Sequence, residues 1–373
     1  MAMTAERIAL GTSAVHVSRV GLGLHAIGNL PPGSEGLAHD LIRRALEAGI
    51  DLFDTAPEYG QGAAERRLGE VIDAVGRPEI VISSKVGYLI RPIRRGPLVR
   101  RILREGLSNG PAGYRHLWRE GRRMSRSALV RIGAGRVPGS VADGPRRADG
   151  LRLGGLVDWS PDGIRRSVED SLERLGVDHI DLILMHDPEM HVREATTGAY
   201  RALVQLREEG TVSAIGIGIN HVDAAIRIST AVDLDAVLIA GRYTLLDQSA
   251  AATLFPLAQR RRVTILAAGV FNSGILADPR AAPFYDYARA GRRTRARAAA
   301  MEAICLRYGV PLRTAALRFT AAHPAVGSVI LGAGSMAHLE DDLAALERPI
   351  PGALWRDLMG AGLLPEDSVA PAD

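Results

Sequence analysis

The chain has 373 residues, of which 47% are hydrophobic and 24% charged, with a formal net charge of +4. This balance excludes a disordered or fibrous protein and points to a globular one, while a single cysteine, Cys305, excludes an intrachain disulfide. The N-terminal segment has no apolar signal core. The longest uncharged stretch, Phe319 to Leu339, is interrupted by Pro324, Gly327, Gly332 and Gly334. A cytoplasmic protein without a membrane span is therefore expected.

Of the 46 basic residues only Lys85 is a lysine; the other 45 are arginines. A compositional bias can exchange the two cations at solvated sites. It cannot do so where chemistry needs an ammonium of adjustable pKa, because guanidinium does not deprotonate. Lys85 is thus singled out by its isolation.

Along the chain, short apolar runs alternate with amphipathic stretches of helical period, the pattern of a parallel sheet with helical crossovers. A possible hairpin over 6–20 precedes eight strand–helix units. Strands are predicted at 20–24, 51–56, 79–86, 180–186, 213–219, 236–242, 263–269 and 326–332. The corresponding helices are predicted at 35–48, 63–75, 161–175, 197–209, 221–231 and 249–261, then 292–308 with 311–322, and finally 335–346. Eight units favour a closed (β/α)8 TIM barrel, of class α/β, spanning 1–373 as one domain. No GxGxxG follows the first strand, and no helix is expected directly after GLGLHAIG, so an open dinucleotide-binding sheet is disfavoured. The tail from Pro351 onward carries no motif.

Residues 88–150 break the rhythm with fifteen arginines against four acids. The segment lies between the third strand and its helix, hence on the catalytic face of a barrel. Its runs LVRRILREGL and YRHLWREGRRM suggest short basic helices. It reads either as a solvated insertion or as a rim for an acidic substrate. Nucleic acid is not expected as a partner, because no aromatic residues interleave with the arginines in a stacking pattern. A small-molecule substrate, with an anionic one explaining the charge, and a monomer or small homo-oligomer are expected.

Barrel catalysis uses residues at the C-terminal ends of several strands. Asp54 ends the second strand, Tyr59 follows in its loop, Lys85 ends the third and His186 the fourth. An ammonium near a phenol lowers the phenol's pKa, so Lys85, held by Asp54, is expected to activate Tyr59. His186 would orient a carbonyl or hydroxyl oxygen. That combination suits hydride transfer at a carbonyl carbon, with the hydride carried by a nicotinamide. Two other classes remain open on the residues alone: a Schiff-base barrel enzyme with Lys85 as nucleophile, and a non-catalytic nicotinamide-binding barrel. No histidine pairs with a cysteine at metal-ligand spacing, and the two histidines of HDPEMH lie in a loop with no third ligand evident, so no metal site is expected.

The runs GIDLFDTAPEYGQGAAERRLGEVI, ISSKVG and DGIRRSVEDSLERLGVDHIDLILMHDPE resemble the aldo-keto reductase superfamily. HAIGNL, IGIGIN, AGRYTLLDQ and FNSGIL are similar to its branch containing D-threo-aldose 1-dehydrogenase, L-fucose dehydrogenase and pyridoxal 4-dehydrogenase. The resemblance implies that Asp54, Tyr59, Lys85 and His186 form a catalytic tetrad in an NAD(P)-dependent oxidoreductase acting on a sugar-like or aromatic carbonyl, alcohol or lactol. It also implies cofactor contacts from Gly218, Asn220, Tyr243, Gly269, Phe271, Ser273, Gly274, Gly332, Gly334, Ser335, His338, Asp341 and Asp342. Departures from the family pattern are Gly218 in place of a serine, Ala268 in place of a stacking aromatic, Gly334 in place of a cation and Asp342 in place of an asparagine. A missing cation and an added carboxylate disfavour an adenosine 2′-phosphate, so NAD is expected over NADP.

Overall fold

The structure, a computed structural model, describes residue 4 and residues 6–77, 80–92 and 153–371. Eight parallel strands close into a barrel: β3 (Val20–Gly23), β4 (Leu52–Asp54), β5 (Val81–Val86), β8 (Ile180–His186), β9 (Val212–Ile219), β10 (Ala236–Ala240), β11 (Thr264–Ala268) and β14 (Val326–Gly332). Side-chain alternation divides the core in two. Leu52, Val81, Leu182, Leu184, Ala214, Leu238, Leu266 and Ile330 fill the barrel. Phe53, Ile82, Ile183, Ile215, Ile217 and Val329 face outward beneath the helices.

The predicted N-terminal hairpin is present as β1 (Arg7–Ala9) paired with β2 (His16–Ser18). Its Leu10 and Val17 join the inner core and close the N-terminal end of the barrel. Among the described residues, the opposite end, ringed by the C-terminal ends of the strands, is thereby the mouth of the barrel.

One expectation after the first strand is corrected. A single helical turn, α1 (His25–Gly28), follows β3 directly. It is too short to be a barrel helix; α2 (Glu35–Glu47) takes that place. The helices α3 (Ala63–Val75), α4 (Pro161–Leu175), α5 (Tyr200–Glu208), α6 (Val222–Ala231), α7 (Leu254–Arg261), α8 (Arg292–Arg307), α9 (Leu312–Ala322) and α10 (Met336–Glu347) complete the outer layer. The tail is structural: α11 (Gly352–Gly360) buries Leu354, Trp355 and Leu358.

Of the basic segment 88–150, the described part is β6 (Tyr88–Pro92), which pairs antiparallel with β7 (Leu153–Val157). The two basic helices expected within it lie outside the described residues. Among the described residues no helix is long and apolar enough to cross a membrane.

Candidate active site

Strand register brings the predicted tetrad together. Asp54 pairs with Ser83, Lys85 with Leu184, and His186 with Gly218 on consecutive neighbours. With a period of two, Asp54, Lys85 and His186 all point inward at the mouth. Lys85 Nζ donates to both Asp54 carboxylate oxygens, at 2.8 and 2.7 Å, and to the Thr55 carbonyl at 2.8 Å. All three ammonium protons are therefore placed. The Ser83 hydroxyl donates to Asp54 at 2.9 Å. The Lys85 side chain is 2% exposed, so neither member of this ion pair has water to fall back on.

Tyr59 is held by a close fit between two loops. A Cβ on Gly28 would sit 2.8 Å from the Tyr59 carbonyl. Gly60 has φ +59°, and a Cβ there would overlap the Gly28 carbonyl. Arg67 from α3 donates to the carbonyl of Ile27 at 2.5 Å, pinning the α1 turn that Tyr59 leans on. The glycine after Tyr59 is thus a packing requirement as well as a turn former.

The electrostatics of Tyr59 differ from the sequence expectation. Desolvation raises its phenol well above the usual 10, and the charge of Asp54 adds to the rise. Lys85 stands over the ring, 4.6 Å from its centroid, with its charge committed to Asp54. The carboxylate that holds the ammonium cancels its pull on the phenol, so Tyr59 rests as a neutral proton donor.

His186 meets Tyr59 edge-on at 6.1 Å between ring centroids. Desolvation alone would lower its pKa; the charge of Asp187, and then hydrogen bonding and charge from Glu58, outweigh that and raise it. Its Nδ1 lies 3.3 Å from Glu58 Oε2, although it is buried and lacks an aligned hydrogen bond. Its Nε2 is 4.0 Å from Asp187.

Four neighbours were not singled out by sequence. Tyr88, at the root of the β6–β7 ribbon, contacts the His186 ring edge-on at 5.7 Å. His25 of α1 packs against Tyr59 at 5.0 Å. His25 keeps an exposed edge at the rim, but desolvation, followed by the charges of Lys85 and His186, lowers its pKa. Glu58 sits inside the DTAPEYG motif itself. Tyr287, on the turn between β12 (Phe284–Tyr285) and β13 (Ala288–Arg289), donates to the Asn220 side-chain oxygen at 3.2 Å. Proximity to the lysine strand was the available signal for Tyr88; nothing local marked His25 or Tyr287.

The residues assigned to a cofactor fall into three groups. Asn220 reaches the mouth, where its amide also donates to Asp187 at 2.9 Å. Gly218 leaves a Cβ position 3.5 Å from the Lys85 stem. Gly269 (φ +62°), Ser273 (φ +61°) and Gly274 (φ +108°) shape the turn after β11, and Ser273 accepts from the Tyr287 amide at 2.9 Å.

The second group surrounds the end of β14. Gly332 faces open space, and Ser335 caps α10 by accepting from the His338 amide. The N-terminal amides of a 12-residue helix beside an open glycine fit a pyrophosphate. Asp342 is buried and paired with Arg313 of α9 at 2.6 Å. Arg313 also lies over the Phe271 ring, 5.0 Å from its centroid. The carboxylate that was expected to repel a phosphate is therefore already neutralised. Asp341, its neighbour on α10, is exposed.

Tyr243 forms the third group alone and does not join the site. It is 3% exposed, stacked on Phe319 at 5.3 Å and edge-on to His323 at 4.8 Å. Its ring was directed to the mouth by position in sequence, but an apolar aromatic cluster outside the barrel claims it. Ala268 ends β11 without an aromatic.

A barrel mouth with a desolvated phenol, an acid-bound lysine and a histidine defines a class, and comparison with known proteins gives the same one. The sequence model of the Aldo/keto reductase family matches residues 19–110 and 154–359. The chain belongs to that family and is an NAD(P)-dependent oxidoreductase. It is 34% identical over 374 residues to pyridoxal 4-dehydrogenase of Microbacterium luteolum, covering 96% of this chain and 98% of that protein. It is 36% identical over 370 residues to D-threo-aldose 1-dehydrogenase of a Pseudomonas species, covering 97% and 99%. Among solved structures, the holo form of the aldo-keto reductase AKR11C1 from Bacillus halodurans shares the fold with a TM-score of 0.67 at 21% identity, covering 99% of this chain and 97% of that one.

Proposed function

We propose that the chain transfers hydride between a nicotinamide and a sugar lactol or an aromatic aldehyde or alcohol of the pyridoxal kind, with Tyr59 as the proton donor or acceptor. The relatives that act on pyridoxal and on aldoses support the substrate class. The observation that carries the role of Tyr59 is its desolvated phenol, seated over a lysine whose three protons are bound.

The bound nicotinamide supplies or accepts the hydride. In reduction, Tyr59 gives its hydroxyl proton to the substrate oxygen as that oxygen gains the carbonyl electron pair. In oxidation, Tyr59 as phenolate takes the hydroxyl proton. His186 holds the same oxygen in place, and Lys85 with Asp54 fixes the floor under the tyrosine. The bound ammonium protons weigh against Lys85 as a Schiff-base nucleophile, which needs a free amine.

NAD remains the preferred nucleotide because the arginine beside Asp342 is already paired. Arg313 is occupied by Asp342, so the pair offers no net charge to a 2′-phosphate. A neutral substrate suits the acidic surroundings of Glu58, Asp187 and Glu189. The arginines that suggested an anionic one lie largely outside the described residues, and Arg91 is paired with Asp170 at 2.6 Å. A single barrel domain carrying 88–150 on its catalytic face, located in the cytoplasm as a monomer or small homo-oligomer, completes the proposal; a single cysteine, which can form no disulfide within the chain, suits a reducing compartment.

The test is Tyr59→Phe. Turnover of pyridoxal and of an aldose should fall about 10²–10⁴-fold, while NADH still quenches tryptophan fluorescence with wild-type affinity. Wild-type turnover in this variant removes Tyr59 from the chemistry.

A further inference from the structure

Glu58 stands one residue before Tyr59, and its carboxylate reaches across the mouth to the ring of His186. The contact joins the loop after β4 to the end of β8. Nδ1 of His186 is buried and makes no aligned hydrogen bond among the described residues; the carboxylate nearest to it is that of Glu58, with Oε2 at 3.3 Å. The remaining groups around the ring are Asp187, Lys85, Tyr59, Tyr88 and His25. Of the two carboxylates Glu58 is the closer, since Asp187 stays 4.0 Å from Nε2 with one oxygen taken by Asn220.

A neutral imidazole has one N–H and one lone pair. A carboxylate beside Nδ1 repels the lone pair and attracts the N–H. It therefore selects the neutral tautomer with its proton on Nδ1, and the other nitrogen is left with the lone pair. We propose that Glu58 is a positioning residue that locks the His186 proton on Nδ1, so that Nε2 donates to a carbonyl only in the charged ring and accepts from an alcohol in the neutral one. This rests on His186 orienting the substrate oxygen, as argued above. Its consequence is a direction-dependent switch. A carbonyl oxygen can only accept, so reduction needs imidazolium and declines as pH rises through the His186 midpoint. An alcohol hydroxyl can donate to bare Nε2, so oxidation is served on the alkaline side. The net charge of the surroundings, which raises that midpoint, widens the range over which reduction is possible.

Nitrogen-15 NMR of histidine-labelled protein, without substrate or nucleotide, reads this directly. The His186 signals are assigned by their loss in His186→Gln. In wild type, the ring should deprotonate above pH 6.5, the ordinary histidine value, and Nε2 should then be the bare, pyridine-type nitrogen. In Glu58→Gln the midpoint should fall by about one pH unit, and the tautomer with the proton on Nε2 should become populated. A neutral wild-type ring with its proton on Nε2 overturns the proposal, as does a Glu58→Gln variant with unchanged midpoint and tautomer. The wild-type titration decides even if the variant does not fold. Because no turnover is measured, failure here leaves the role of Tyr59 to its own test.

Discussion

Asp342 shows how a residue's meaning changes once its partner is known. In the sequence it is an unmatched acid at a phosphate-gripping position; in the structure it is half of a buried ion pair with Arg313, 29 residues away on another helix. Nothing local announces that pairing, which is why it was not legible. Asp342→Asn should release Arg313 and tighten NADPH binding about tenfold while leaving NADH within twofold, by fluorescence titration, one charge-assisted contact being worth roughly 1.5–3 kcal/mol. Unchanged NADPH affinity would remove Arg313 from the nucleotide site. Tyr59 gives a second prediction at this scale. Its phenol is raised above 10 by burial, so the phenolate fraction grows with pH across the whole neutral and alkaline range. The kcat/KM of alcohol oxidation should accordingly climb without a Tyr59 plateau up to about pH 10. A plateau near pH 7 that vanishes in Tyr59→Phe would show the phenol to be lowered instead.

Among the elements, the strands were legible because burial on both faces leaves continuous apolar runs, and three of the C-terminal ends were marked by a polar residue that interrupts the run: Asp54, Lys85, His186. Helix contacts were less legible, since they depend on side chains meeting at right distances from separate units. The α3–α4 pair is the clearest case. Gly69 lets the helices close up, a Cβ there falling 2.5 Å from the Leu175 carbonyl. Beside it, Glu65 is fully buried, accepting from Ser84 at 2.7 Å and from Arg174 at 2.5 Å. This carboxylate ties both helices to β5 and so to the lysine strand. Arg174→Met leaves it uncompensated and should cost about 3–5 kcal/mol in urea unfolding. Glu65→Gln combined with Arg174→Met should recover part of that loss. A single-variant loss below 1 kcal/mol would mean that water reaches Glu65. The ribbon β6–β7 was missed because its two strands are separated by the basic segment, and pairing across so long an interval leaves no local trace beyond alternation.

Across the whole molecule, eight repeats of one pattern made the closed barrel legible, whereas α11 was not, because a nine-residue amphipathic stretch after a proline differs little from a solvated tail until Trp355 is seen tilted against Phe319 at 6.1 Å between ring centroids. The near-exclusive use of arginine, read at first as a signpost to one residue, has a practical corollary. A lysine-specific endoprotease has a single target bond in this chain, after Lys85, at the mouth end of a buried barrel strand. The folded protein should resist it, and each cut should record an event in which β5 leaves its neighbours. When opening and closing are fast relative to cleavage, the rate of the one cut tracks the open population. The barrel therefore carries a built-in probe of its own opening, read on a gel as two fragments, with no label added.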